Sequence, residues 1–247
     1  MKILALLAPG FEDLEALGTI ALLRRAKLEV DVCSVENTKT ITGKYNITVK
    51  ADVKLKKVNP DLYEGLFLPG GMPGVENLFK VDKVKELVKY FVEKDKVLAC
   101  ICAAPTIPGR LGLLAGKNYT CFPGCEDDCK DGIHHDVNAI TDGNIITGRA
   151  AGAVHDFAYE IIKKFKGEEF ATEVMNHICY ERCTCKEEEC CKEHCECQEK
   201  HDKECYKEEV KEECCCKEDH DKECCKEETK EECGCKEEKC NSDKTEE

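Results

Sequence analysis

The sequence predicts an α/β domain built on a mostly parallel sheet, followed by an acidic, cysteine-dense tail without a core of its own. Three observations lead there. Short, almost continuously apolar runs such as Lys2–Ala8, Gly65–Leu68 and Val97–Ile101 suit strands buried on both faces. Longer stretches with apolar residues at helical spacing lie between them. The composition then breaks. Residues 1–171 carry 24 acidic and 23 basic side chains and residues 172–247 carry 27 and 14, so the tail supplies 13 of the 14 net negative charges.

The elements follow in order. Lys2–Ala8 reads as the first strand and is broken by Pro9 and Gly10. Glu12–Ala26 reads as a helix, with Leu14, Leu17, Ile20, Leu22 and Leu23 as its apolar face. Leu28–Val35 alternates as a second strand, and Asn46–Leu55 holds one or two short extended pieces. Gly65–Leu68 is a buried strand ending in Pro69-Gly70-Gly71. Asp82–Glu93 is an amphipathic helix capped by Asp82, with Val84, Leu87, Val88 and Phe91 on one face. Val97–Ile101 is another strand, and Thr106–Ala115 a helix interrupted by Pro108. Tyr119–Phe122 and Asn144–Thr147 read as further strands, and Ala153–Phe165 as the closing helix. In such sheets, functional groups gather where strands end at their carboxyl edge.

The tail is different in kind. Of 22 cysteines, 16 lie between Cys179 and Cys240, and after Arg182 the only other apolar side chains are Tyr206 and Val210. Ordering a backbone costs about 1–2 kcal/mol per residue, which such a composition cannot offset by burial. Residues 201–218 recur at 220–237, identical at 15 of 18 positions, and Cys-x-Cys pairs recur at Cys195/Cys197, Cys214/Cys216 and Cys233/Cys235.

Several function classes are disfavoured. No apolar run reaches the roughly 20 residues of a membrane span. Met1–Pro9 turns acidic at once, at Glu12, Asp13 and Glu15, so it reads as a buried strand and not as a leader. The negative tail would repel nucleic-acid phosphates. A reducing cytoplasm is the expected setting, where dense cysteines point to metal binding or redox chemistry.

The segment Ala99-Cys100-Ile101-Cys102-Ala103-Ala104-Pro105 runs from a strand into a predicted helix. Cys100 is expected in the core. Cys102, at the turn, is placed for exposure at the sheet edge, with a helix N-terminus lowering its thiol pKa. A buried, inert thiol is the alternative reading. The glycines of Pro69-Gly70-Gly71 would let backbone N–H groups approach a reacting oxygen.

Together with Pro9-Gly10-Phe11-Glu12-Asp13-Leu14-Glu15, Leu68-Pro69-Gly70-Gly71, Cys102-Ala103-Ala104-Pro105, Phe122-Pro123-Gly124 and Ile146-Thr147-Gly148-Arg149-Ala150-Ala151-Gly152, residues 1–170 resemble the ThiJ/PfpI family in its DJ-one branch. The resemblance implies a flavodoxin-like fold, a homodimer, and Cys102 as nucleophile. It implies Glu15 as a protonated carboxyl contacting the sulfur. Backbone N–H groups of Gly70, Gly71 and Ala103 would be anion donors. The implied activity is of glyoxalase or deglycase type on 2-oxoaldehydes, without a cofactor, the partners being a small aldehyde or peroxide. A non-enzymatic redox sensor or chaperone working through Cys102 oxidation is the alternative. Ala103 and Phe122 stand where relatives carry histidine, so no Cys–His pair is evident and peptide hydrolysis is not expected. His155 is expected at the surface, and His134 and His135 in a loop.

Cys121, Cys125 and Cys129 are spaced by four and read as an extra metal site, a resolving pair for Cys102, or incidental loop cysteines. In the tail, Cys183, Cys185, Cys190, Cys191, Cys195, Cys197, Cys205, Cys214, Cys215, Cys216, Cys224, Cys225, Cys233, Cys235 and Cys240 offer thiolates suited to Zn(II), Cu(I) or Cd(II). That spacing resembles metallothioneins, and a disordered thiol buffer is the competing reading.

Overall fold

The computed structural model describes residues 1–181. The tail repeat and the proposed ligands Cys183 to Cys240 lie outside the described residues.

The first strand, β1 (Lys2–Leu7), is buried along nearly its whole length, as its apolar run dictates. It is followed by α1 (Asp13–Arg25) and β2 (Glu29–Ser34). A small antiparallel pair, β3 (Thr40–Thr42) and β4 (Thr48–Lys50), precedes β5 (Val53–Lys54). Then come β6 (Gly65–Leu68), α2 (Gly74–Phe79), α3 (Asp82–Glu93) and β7 (Val97–Ile101). The second half holds α4 (Thr106–Arg110), the paired β8 (Asn118–Tyr119) and β9 (Ile133–His134), β10 (Ala139–Asp142), β11 (Ile145–Gly148), α5 (Val154–Lys166) and α6 (Glu168–His177).

Seven strands form one sheet in the order β10-β11-β7-β6-β1-β2-β5. Every pairing in it is parallel except the β10–β11 hairpin at one edge. Helix α5 packs against both α1 and α6, while α3 packs against both α2 and α4. Parallel strands need such cover because neither face can meet water. Strand order places β6 and β7 side by side in the middle, with β1 next to β6. The carboxyl ends of these three strands carry the conspicuous motifs.

Several expectations are corrected. The helix at Asp82 starts after Val81, which makes no side-chain cap, and Asp82 instead pairs with Lys85 at 2.7 Å. The helix at Thr106 stops at Arg110, where Gly109 and Gly112 follow Pro108. The strand expected over Tyr119–Phe122 is confined to Asn118–Tyr119. Helix α6 follows the one expected to close the domain, and its Ala171, Val174 and Met175 are buried. The compact unit accordingly runs from Met1 to Arg182, beyond the 171/172 boundary read from composition. On α1, Leu14 is 56% exposed whereas Glu15 is 1% exposed, the reverse of what hydropathy assigns.

Candidate active site

The site begins with a cap. Glu12 precedes α1, and its carboxylate accepts the Glu15 N–H at 2.6 Å. Its own N–H donates to Gly70 O at 2.9 Å, which ties the start of α1 to the end of β6. With the first turn held there, Glu15 faces inward beneath the ends of β6 and β7. Its Oε2 accepts the Gly70 N–H at 2.9 Å and its carboxyl hydrogen-bonds the Cys102 thiol. Gly70 permits this approach: a Cβ there would lie 2.6 Å from both Cys102 Cβ and Glu15 Oε2.

Cys102 sits immediately after β7 with φ +65°, a conformation that side chains rarely adopt. Backbone bonds hold it there. Its N–H donates to Gly148 O at 2.8 Å, and its carbonyl accepts the Phe122 N–H at 2.8 Å. Strain kept in place by surrounding structure costs about 1–3 kcal/mol and concentrates at functional sites. Cys102 is buried with 8% of the residue exposed, whereas Cys100 on β7 is fully enclosed.

Electrostatics couple the two groups. Burial, with a smaller contribution from repulsion by Glu12, raises Glu15 from the ordinary 4.5 to about 7, against the hydrogen bonds from Cys102 and Gly70 and the charge of Lys44. Burial also pushes the Cys102 thiol up, and an ionised Glu15 pushes it further, while N–H groups of Ala103 and Gly71 act the other way. The expectation of a thiol acidified by a helix N-terminus is therefore corrected. Regular helix begins only at Thr106 and is five residues long. A pair this close shares its protons. Glu15 gives up its proton near 7, while burial and the neighbouring carboxylate hold the Cys102 thiol well above its ordinary range.

The expected residues separate into two roles. Gly71 and Ala103 direct N–H groups at Cys102 Sγ. Gly70 does not join them, because its N–H is engaged by Glu15. Glu12 and Lys44 were missed by sequence reasoning. An acid three residues before Glu15 is itself a capping signal, but nothing local marks Lys44. His155 is half-buried and stacks on Tyr180 with ring centroids 4.4 Å apart, so it is not the free surface residue expected. His135 Nε2 lies 2.8 Å from Asn118 Oδ1. Among the described residues, Glu15 is the side chain that hydrogen-bonds Cys102.

A parallel sheet carrying a strained cysteine just past a central strand, with a buried acid beneath it, defines a class of α/β proteins with an elbow thiol. Residues 1–164 match the DJ-1/PfpI family, and the chain belongs to that family. A protein named DJ-1 homolog B from Arabidopsis thaliana is 34% identical over 169 residues, 68% of this chain and 39% of that protein. The chain thus spans about two fifths of the length of the Arabidopsis relatives it matches. A protein named as a deglycase from Pyrococcus abyssi is 34% identical over 168 residues, 67% of this chain and 100% of its own length. Among solved structures, a DJ-1 superfamily protein from Salmonella typhimurium aligns with TM-score 0.71 and 31% identity, over 73% of this chain and 99% of that one. Toxoplasma gondii DJ-1, solved in an oxidized form, aligns with TM-score 0.70 and 28% identity over the same shares. The fold is the flavodoxin-like one of these neighbours.

Proposed function

We propose that the domain is a cofactor-independent enzyme of glyoxalase or deglycase type, acting through Cys102 on reactive 2-oxoaldehydes. The observation that carries this reading is the hydrogen bond between the Cys102 thiol and Glu15, a carboxyl whose pKa of about 7 suits it to act as base and as acid. The name of the Pyrococcus relative points the same way.

The Glu15 carboxylate takes the thiol proton as the sulfur adds to the aldehyde carbon, and hands that proton to the new alkoxide. The resulting carboxylate removes the hydrogen from that same carbon of the hemithioacetal and returns it to the neighbouring carbon. The product is a thioester of a 2-hydroxy acid. Water cleaves it, releasing the acid and restoring the thiol, so the net change is addition of one water to the oxoaldehyde. Gly71 and Ala103 N–H groups face the sulfur and are placed for the developing oxyanion. With a glycated amine or thiol, the Cys102 sulfur attacks the aldehyde-derived carbon, and the bond from that carbon to the amine nitrogen or thiol sulfur breaks. The expelled amine or thiol takes its proton from Glu15, which leaves the same hemithioacetal.

A second reading has its own support. An accessible thiolate beside a carboxyl donor suits oxidation to sulfinate, and the Toxoplasma neighbour was solved oxidized. That reading makes the domain a redox sensor or chaperone.

Around the domain, the reading includes a homodimer, for which the exposed Leu14, Tyr45 and Ile47 offer an apolar patch, and residence in the cytoplasm. No helix among the described residues is long and apolar enough to cross a membrane. The tail is proposed to hold soft metal ions through its repeated Cys-x-Cys pairs. The test of the central reading is lactate formation from methylglyoxal by wild type and Cys102→Ser. Loss of the product in the variant is expected, and equal rates refute it.

A further inference from the structure

The loop after β8 carries chemistry that the reaction above does not use. It brings Cys121, Cys125, Glu126 and Cys129 into the stretch of chain before β9. The parallel pairing of β8 with β9 sets Tyr119 opposite His134, their rings 5.4 Å apart, so the loop closes back on its own start. A short 3-10 turn, Glu126–Cys129, returns Cys129 to the interior. Its Sγ donates to Pro105 O at 3.4 Å and lies in hydrogen-bond contact with the Cys121 thiol. Both cysteines are 1% exposed. Cys125, half-buried, packs against the same small cluster.

The decisive observation is convergence. The sulfur of Cys121, a carboxylate oxygen of Glu126 and a ring nitrogen of His134 all lie within 4.8 Å of one another. Three atoms so spaced lie within about 2.8 Å of a common point, and zinc bonds of ~2.0–2.3 Å need inward movements of about 0.5–0.8 Å. Cys129 hydrogen-bonds Cys121 but stands outside that group of three, so a shift of its side chain would bring in a fourth donor from the buried side. Glu126 uses Oε2 to accept the Gly124 N–H at 2.7 Å, which fixes its carboxylate without consuming the second oxygen. Two sulfurs, one imidazole and one carboxylate make a borderline-soft tetrahedral set, suited to zinc and poor for magnesium or calcium.

We propose that Cys121, Cys129, Glu126 and His134 bind one zinc-class divalent ion, in a site separate from Cys102. Binding displaces the two thiol protons. It also fixes the loop whose Phe122 N–H bonds the Cys102 carbonyl, so the ion would steady the elbow without touching its sulfur.

The test uses the chain ended at Arg182, which removes the tail thiols. The domain has its own core within Met1–Arg182, and the Pyrococcus relative is matched over its full length by this domain alone, so it folds by itself. Reduced protein is titrated with Zn(II) against a chromophoric chelator, and with Co(II) as a spectral probe. One equivalent is expected, with a thiolate-to-cobalt charge-transfer band and tetrahedral d–d absorption. His134→Ala, at an exposed ring, should keep its melting temperature and weaken binding about 10-fold or more. Cys121→Ser should abolish the band, whereas Cys102→Ser should keep the full equivalent. No zinc retained against the chelator overturns the proposal, as does loss of the equivalent only in Cys102→Ser. A Cys121–Cys129 disulfide that forms in air, with no zinc uptake after reduction, overturns it too. Lactate formation is scored independently, so either proposal can fail without the other.

Discussion

Glu15→Gln should make the domain more stable, and by an amount that depends on pH. Burial holds Glu15 near 7 in the fold against an ordinary 4.5. An acid whose pKa is raised by folding contributes no penalty below 4.5, where both states are protonated. The penalty builds as pH rises through this window and is complete above about 7. At ~1.4 kcal/mol per pH unit, the gap amounts to about 3 kcal/mol. The glutamine side chain retains a carbonyl to accept the Gly70 N–H and never ionises, so it escapes that penalty. Urea denaturation of wild type and variant, at intervals from pH 4.5 to 8, measures the difference directly. The variant's advantage should grow by about 3 kcal/mol across the range, most steeply between about pH 5 and 6.5 and levelling off above about 7. A difference that stays constant with pH would refute the reasoning, because it would mean that Glu15 titrates alike in folded and unfolded chains. Groups whose titration the substitution leaves unchanged cancel in the comparison.

Two further expectations follow from the elbow and the tail. Among variants lacking the thiol, Cys102→Gly should be more stable than Cys102→Ala by up to about 1 kcal/mol, since only glycine adopts φ +65° without strain; equal denaturation midpoints would show that the backbone there is relaxed. Elemental analysis should find roughly four more zinc ions on the full chain than on the chain ended at Arg182, and no excess would remove the metal role from the tail.

What the sequence reveals depends on how much of each signal is local. Lys2–Leu7, Gly65–Leu68 and Val97–Ile101 are legible because a strand buried on both faces must be apolar throughout. Helix α3 is legible to the residue because its apolar positions fall on one face. By contrast, α2 begins at Gly74 after Pro73 and is six residues long, too short for a period to show. Strand β10 is an edge strand, half-buried throughout, and lacks the apolar run that marked its neighbours. The elbow was visible as a cysteine between a strand and a small-residue turn. Its proton sharing was not, because it depends on Glu15 and Gly70 meeting Cys102 across long sequence separations. Leu14 and Glu15 show the same limit: hydropathy puts the leucine inward, and the cap at Glu12 rotates the helix so that the acid goes in.

That inward acid is also what separates enzyme from sensor. Both readings pass through the same state, a Cys102 thiolate whose proton has moved to Glu15, and differ in what Glu15 does next. Aldehyde chemistry requires it to lose its proton and then remove one from carbon, which only a carboxylate can do. Stabilising a sulfinate requires only a donor directed at the oxidised sulfur. A glutamine at this position keeps a donor and removes the base. In Glu15→Gln, lactate formation should therefore fall about 100-fold or more, while mild peroxide should still add two oxygens to Cys102, as read by mass spectrometry. If both activities fell together, Glu15 would be acting chiefly by enabling thiolate formation, and its role as a proton shuttle in the hemithioacetal would have to be given up.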